Sequence, residues 1–112
     1  MICGIGTDLI EIERIARLLQ NPRFLERVYT KEEQRLLRSA ESYAANFAAK
    51  EAYSKALGTG VSGFSLTDIE ILRDKWGKPY LLAYRGAACA GRVHVSLSHS
   101  REYAQAFVII EE

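Results

Sequence analysis

Apolar residues change their spacing along the chain, and each change marks an expected element. Residues 2–8 alternate apolar side chains with glycine and end in Gly6-Thr7-Asp8, which predicts a short strand. From Leu9 the period becomes helical. Leu9, Ile12, Ile15, Ala16 and Leu19 fall on one side and Glu11, Arg14 and Arg17 on the others, predicting an amphipathic helix to about Gln20. Asn21-Pro22 supplies a cap and a first helical residue for a second, short helix with Phe24, Leu25 and Val28 on its apolar side. Thr30-Lys31-Glu32-Glu33 has the capping-box pattern of a third. An alanine-rich stretch predicts a long helix over residues 41–57, closed by Gly58 in the left-handed cap position. Strands follow, at 69–72 and 80–84 around a turn built from Asp74, Gly77 and Pro79. Residues 86–91 have room for one or two helical turns at most. The last strands, 93–97 and 104–110, read as an antiparallel hairpin joined by the polar residues 98–102. Helices mostly first and strands mostly last favour an α+β fold over alternating βαβ units.

Composition narrows what such a fold does. At 112 residues, with a formal net charge of +1, the chain is expected to form a single domain, 1–112. It lacks the basic excess of proteins that bind nucleic acid or membranes in bulk. A domain of this length buries only about two-thirds of the surface its unfolded chain exposes, so self-association is a natural way to add core. Cys3 and Cys89 fit no metal-ligand spacing and read as free thiols in a reducing compartment. There is no apolar run of bilayer length, and the N-terminus has neither the charged start nor the apolar block of a signal peptide. A cytoplasmic protein is expected.

The run Phe47-Ala48-Ala49-Lys50-Glu51-Ala52-Tyr53-Ser54-Lys55-Ala56-Leu57-Gly58-Thr59-Gly60 holds the strongest candidate chemistry. Phe47, Glu51 and Lys55 succeed one another at one helical turn and share a face. Two readings stand: a helix salt bridge worth about 0.3–0.5 kcal/mol, or a carboxylate and an ammonium arranged for a metal and a phosphate. Asp8 likewise reads either as a helix cap or as a ligand. Asp8 and Glu51 together would form the low-count oxygen site that Mg²⁺ accepts, with water and substrate phosphates completing its shell. Gly58 and Gly60 either admit a phosphate to the backbone or simply end the helix. His99, between two serines, is a candidate phosphate or proton partner, whereas His94 alternates with Val93 and Val95 and reads as structural. Arg14, Arg17 and the basic residues of the next two segments are a mixed solvated surface or a docking face for an acidic protein. No Ser/His/Asp ordering, Cys-His pair or Walker loop is present.

Taken jointly, residues 4–15 (Gly4-Ile5-Gly6-Thr7-Asp8 onward), the Phe47 to Gly60 run, Asp68-Ile69-Glu70-Ile71, Gly77-Lys78-Pro79 and His94-Val95-Ser96-Leu97-Ser98-His99 resemble the holo-acyl-carrier-protein synthases, the small single-domain phosphopantetheinyl transferases. The resemblance runs through nearly the whole chain. It implies N-terminal helices packed on a mainly antiparallel sheet. It also implies transfer of the 4′-phosphopantetheine arm of coenzyme A to a serine of apo-acyl carrier protein, in fatty-acid biosynthesis, with release of adenosine 3′,5′-bisphosphate. Mg²⁺ as cofactor and a homotrimer with active sites between subunits come with it. By motif, Asp8 and Glu51 match the metal ligands and Lys55 lies beside the transferring phosphate. Glu51, directly or through a water, would take the serine proton. Lys55, Gly58, Gly60 and His99 match the coenzyme A pocket, and Arg14 the arginine that meets the acidic carrier helix. Three places depart from the family: Asn46 stands where arginine is common, expected to remove a cation from the helix edge, the connection between the third helix and Phe47 is short, and residues 86–91 are shorter than usual. A non-catalytic module that only binds coenzyme A or an acidic protein is the alternative.

Overall fold

The computed structural model describes residues 1–112, and its first strand is longer than its spacing suggests. Strand β1 (Ile2–Glu11) pairs antiparallel with β5 (Tyr103–Glu111), from Ile2 opposite Glu111 to Glu11 opposite Tyr103. The expected helix start at Leu9 is therefore wrong. Residues 9–11 remain extended because each has a ladder partner on β5, and a continuous ladder outweighs a weak local helical period. Helix α1 (Ile12–Leu18) starts only where the ladder ends, after a Glu11 that caps nothing with its side chain.

The other helix boundaries follow their local chemistry. Helix α2 (Pro22–Val28) begins on Asn21, whose side-chain oxygen accepts from the Arg23 N–H at 2.9 Å. Helix α3 (Lys31–Leu36) begins on the reciprocal Thr30–Glu33 capping box. Helix α4 (Ala40–Leu57) opens on Ser39 and Ser42 and stops at Gly58, whose φ of 84° is a conformation that glycine adopts without strain. Strands β2 (Ile69–Arg73) and β3 (Pro79–Ala83) form a separate two-stranded sheet. Their turn is held by Asp74, which accepts from the N–H groups of Trp76 and Lys78. The segment before the final hairpin forms one three-residue 3-10 turn, Arg85–Ala87. Strand β4 (Arg92–His99) then pairs with β5, completing the order β1-β5-β4.

Helix α4 lies across one face of that sheet, so this α+β arrangement buries its main core between them, with a smaller cluster of Val28, Tyr29 and Leu37 beside it. Ala104, Ala106, Val108 and Ile110 of β5 point into the main core, against Ala48, Ala49, Ala52 and Ala56 of α4. Small residues on both sides bring the backbones close. A Cβ on Gly4 would strike the Ala56 carbonyl oxygen and one on Gly6 that of Ala52. Gly6→Ala is accordingly expected to lose about 1–3 kcal/mol of stability in urea unfolding. A loss below about 0.5 kcal/mol would mean that β1 moves off α4 freely and that the close approach is not needed.

A buried polar network ties α3 to α4. Lys50 and Glu33 are both fully buried, with Lys50 Nζ donating to Glu33 Oε1 at 2.6 Å and to the carbonyls of Leu66 and Val28. Burial pulls the Lys50 ammonium below its ordinary range while the Glu33 carboxylate works to keep it charged. Asn46 joins the same network: the position does lack a cation, but it is buried inside the fold rather than at the helix edge. Its Nδ2 donates to Glu33 Oε2 and the Ile71 carbonyl, and its Oδ1 accepts from Arg73 Nη2 at 2.9 Å. No buried side-chain polar atom lacks a partner. No helix is long and apolar enough to cross a membrane.

Candidate active site

The close approach of β1 to α4 places Asp8 against Glu51 and Lys55. Inward-facing positions alternate along β1, so Asp8 follows Gly4 and Gly6 on the side of the strand that meets the helix. On α4, Glu51 and Lys55 lie at successive turns of the face beside it. The Lys55 ammonium donates to Asp8 Oδ1 at 3.1 Å and to the Thr7 carbonyl at 2.9 Å. Asp8 keeps 17% of its side-chain surface exposed and Lys55 55%, so the pair sits at the rim, open to a ligand. Of the two readings of Glu51 and Lys55, the helix salt bridge is absent: Lys55 reaches across to Asp8 instead. Asp8 is not a helix cap either, since α1 begins four residues later, after Glu11.

Electrostatics set Glu51 apart. Partial burial raises its carboxyl above the usual carboxylate range, and the neighbouring Asp8 adds to the rise; Lys55 and Arg14 act in the opposite sense. Two carboxylates held in each other's field form a site that gains from a cation. No cluster of three or more Asp, Glu, His or Cys side chains exists in the molecule, which excludes an all-protein metal cage built from them. Two carboxylates at an open rim instead suit an ion that takes most of its oxygens from water and substrate.

The remaining sequence candidates fall into two places. Gly58 and Gly60, both at positive φ, follow Lys55 at the end of α4, with the Gly60 N–H donating to the Ser54 carbonyl. Arg14 is exposed on α1 and close enough to Glu51 to act on its charge. His99 is elsewhere. It lines a cavity of about 280 Å³ at the opposite, N-terminal end of α4, together with Ser39, Ser42, Arg73, Gly77 and Pro79. His99 stands opposite Ala104 on β4 while Asp8 stands opposite Ala106 on β1, two strand spacings or about 10 Å across the sheet and two residues along it, so within one chain His99 does not touch Asp8. His94 pairs with Glu111 at 2.9 Å on the outer face of the sheet, as a structural residue would. Three cavity residues escaped the sequence reading: Ser39 and Ser42 look only like a helix cap, and Arg73 stands in no motif.

Comparison with known proteins gives the family. Residues 4–108 match the family model of the 4′-phosphopantetheinyl transferase superfamily. The holo-[acyl-carrier-protein] synthase of Geobacillus sp. is 49% identical across 99% of this chain and 98% of its own length. That of Anoxybacillus flavithermus is 50% identical across 99% and 97%. Among solved structures, the holo-(acyl-carrier-protein) synthase of Bacillus anthracis in complex with CoA (3′,5′-ADP) superposes with a TM-score of 0.89 at 44% identity, covering all of this chain and 98% of that one. The Helicobacter pylori enzyme in complex with coenzyme A gives a TM-score of 0.88 at 31% identity over 96% and 99%. With the family model matched over most of the chain and relatives near half-identical from end to end, this chain belongs to the 4′-phosphopantetheinyl transferase superfamily, among the holo-[acyl-carrier-protein] synthases.

Proposed function

We propose that residues 1–112 act as one transferase domain that moves the 4′-phosphopantetheine group from coenzyme A to a serine of apo-acyl carrier protein, in fatty-acid biosynthesis. The observation that carries this reading is the meeting of Asp8 with Glu51 and Lys55, residues far apart in sequence and joined only by the packing of β1 on α4. Solved relatives bind coenzyme A. Free Cys3 and Cys89 suit a cytoplasmic, reducing compartment.

Each residue then has a task. Asp8 and Glu51 would hold Mg²⁺, a fit supported by their mutual repulsion and by the low number of protein oxygens at the rim. Bound there, Mg²⁺ supplies charge neutralisation for the pyrophosphate of coenzyme A. Lys55 places its ammonium beside the same phosphates and stabilises the charge that grows as the bond breaks. Glu51, directly or through a water, takes the proton of the carrier serine. The serine oxygen forms a new bond to the β-phosphorus, and the bond to adenosine 3′,5′-bisphosphate breaks. Gly58 and Gly60 leave room for the pantetheine phosphate after the helix end, where no side chain would fill the space. Arg14, exposed on α1, meets an acidic helix of the carrier.

A homotrimer completes the reading. Ile5 and Leu9 of β1 and Tyr103 and Phe107 of β5 leave an apolar stripe on the outer face of the sheet, with Leu9 63% exposed. The His99 cavity lies on β4, two strands away from Asp8 on β1, so one subunit's cavity can complete its neighbour's site across such an interface.

The test is to incubate the chain with coenzyme A, Mg²⁺ and apo-acyl carrier protein and to weigh the carrier by mass spectrometry, with the enzyme's mass read by light scattering in the same preparation. A phosphopantetheine adduct and a three-chain particle are expected. Absence of the adduct on every apo-carrier tried sinks the transferase reading and leaves the binding-module alternative. Arg14→Ala is expected to raise the KM for the carrier several-fold at low salt and much less at high salt, because screened charges stop steering. A loss that ignores salt would remove Arg14 from the docking face.

A further inference from the structure

Arg73 ends β2 half-buried at the wall of the cavity that holds His99. Its guanidinium is aimed rather than loose. Nη2 donates to Asn46 Oδ1 at 2.9 Å, and Nη1 makes longer bonds to the carbonyls of Ile71 and Leu72 at 3.5 and 3.3 Å. Asn46 is itself locked, because its amide nitrogen is spent on Glu33 and the Ile71 carbonyl, leaving only its oxygen to face the arginine. Of five guanidinium N–H donors, these three bonds use three, so two remain. Arg73 also makes no ion pair with any carboxylate. It is a permanent charge, oriented from behind, with donors to spare. Around it stand the hydroxyl-bearing side chains of Ser39, Ser42 and Ser98 and the His99 imidazole, with Glu41 at the same cavity.

We propose that Arg73 is the specificity-determining residue for the phosphate monoester of the donor, binding the 3′-phosphate on the adenosine end of coenzyme A. The inference rests on the coenzyme A reading above and deepens it. A dianionic phosphate matches a planar guanidinium with two free donors; the Ser39, Ser42 and Ser98 hydroxyls beside it donate to Ser42 Oγ, the Ser39 carbonyl and Gln105 Oε1, and turn from these to reach a bound phosphate. Glu41 repels the phosphate from its own side and accepts from hydroxyl or amine groups, which sets the ligand's direction in the cavity. Asn46 acts as a positioning residue: it holds the guanidinium without neutralising it, as an aspartate there would.

The measurement is donor discrimination between coenzyme A and 3′-dephospho-coenzyme A, which differ only in that phosphate. Arg73→Gln is expected to raise the KM for coenzyme A about tenfold or more, the usual scale of one lost charge-assisted contact. It should leave kcat and the KM for dephospho-coenzyme A unchanged, and Arg73→Lys should fall between. Calorimetry of adenosine 3′,5′-bisphosphate binding should show the same loss, and this reads the site even if no transfer is found. Wild-type protein that uses both donors equally well overturns the role of Arg73 while leaving the transferase reading intact. So does an Arg73→Gln effect of equal size on both donors, which would mark a residue that only supports the fold. No transfer by the wild type, with adenosine 3′,5′-bisphosphate still bound through Arg73, would overturn the transferase reading alone.

Discussion

Replacing Asp8 or Glu51 by alanine is expected to lower phosphopantetheine transfer by about a hundred- to a thousandfold, the range for removing one electrostatic contact used at the transition state. The fold should hardly notice. Asp8 is bonded to Lys55 at an open rim, and exposed pairs of this kind contribute at most about 1 kcal/mol. Glu51 makes no hydrogen bond or ion pair with another side chain, and its carboxyl is raised by burial, so its removal relieves an unfavourable placement. Transfer and unfolding should therefore separate cleanly, with activity measured by carrier mass and stability by urea titration. Chelating divalent cations should bring the unaltered enzyme down to the level of the variants. Near-normal turnover in either alanine variant would show that the two carboxylates do not act together and would return Lys55 to a simple surface role.

The largest loss of stability is expected deeper in the molecule, from Glu33→Ala. Glu33 receives the Lys50 ammonium, the Asn46 amide, the Ile71 N–H and the Thr30 N–H, all away from water. Removing it strands a buried lysine without its counter-charge, a change that costs about 3–5 kcal/mol in comparable sites. Against a total of about 5–15 kcal/mol for a domain, that is a large fraction. Loss of the proton from Lys50 is the escape, and burial already pulls in that direction. The variant should thus lose less stability at high pH than at neutral pH. Lys50→Met in the Glu33→Gln background, which leaves no charge at either position, should recover much of the loss. A Glu33→Ala protein within about 1 kcal/mol of the parent would mean that the network is satisfied some other way and does not hold α3 to α4.

Much of this architecture is legible residue by residue. The caps at Asn21, Thr30 and Gly58, the Asp74 and Gly77 turn and the final hairpin all rest on interactions between near neighbours, and each appears where local chemistry places it. The miss at residues 9–11 has the opposite origin. Their extended form is imposed by a strand about a hundred positions away, which no local period reports. Asn46 misled for the same reason: a polar residue on a helix says nothing of whether Glu33, Ile71 and Arg73 are waiting for it. Arg73 drew no notice at all. A lone arginine at a strand end becomes informative only beside the cavity it lines.

Glu51 and Lys55 were bound to share a face of α4 by the helical repeat alone, and Asp8 was marked by the company of Gly4 and Gly6 before it. The chain's family was likewise written in the order and spacing of its motifs. Whether Lys55 bonds along its helix or across to β1 was decided only by packing. The two glycines let β1 lie against Ala52 and Ala56, closer than any side chain would allow, and at that separation the ammonium finds Asp8. Such a distance is a property of two surfaces meeting, and it exists only once the core has closed.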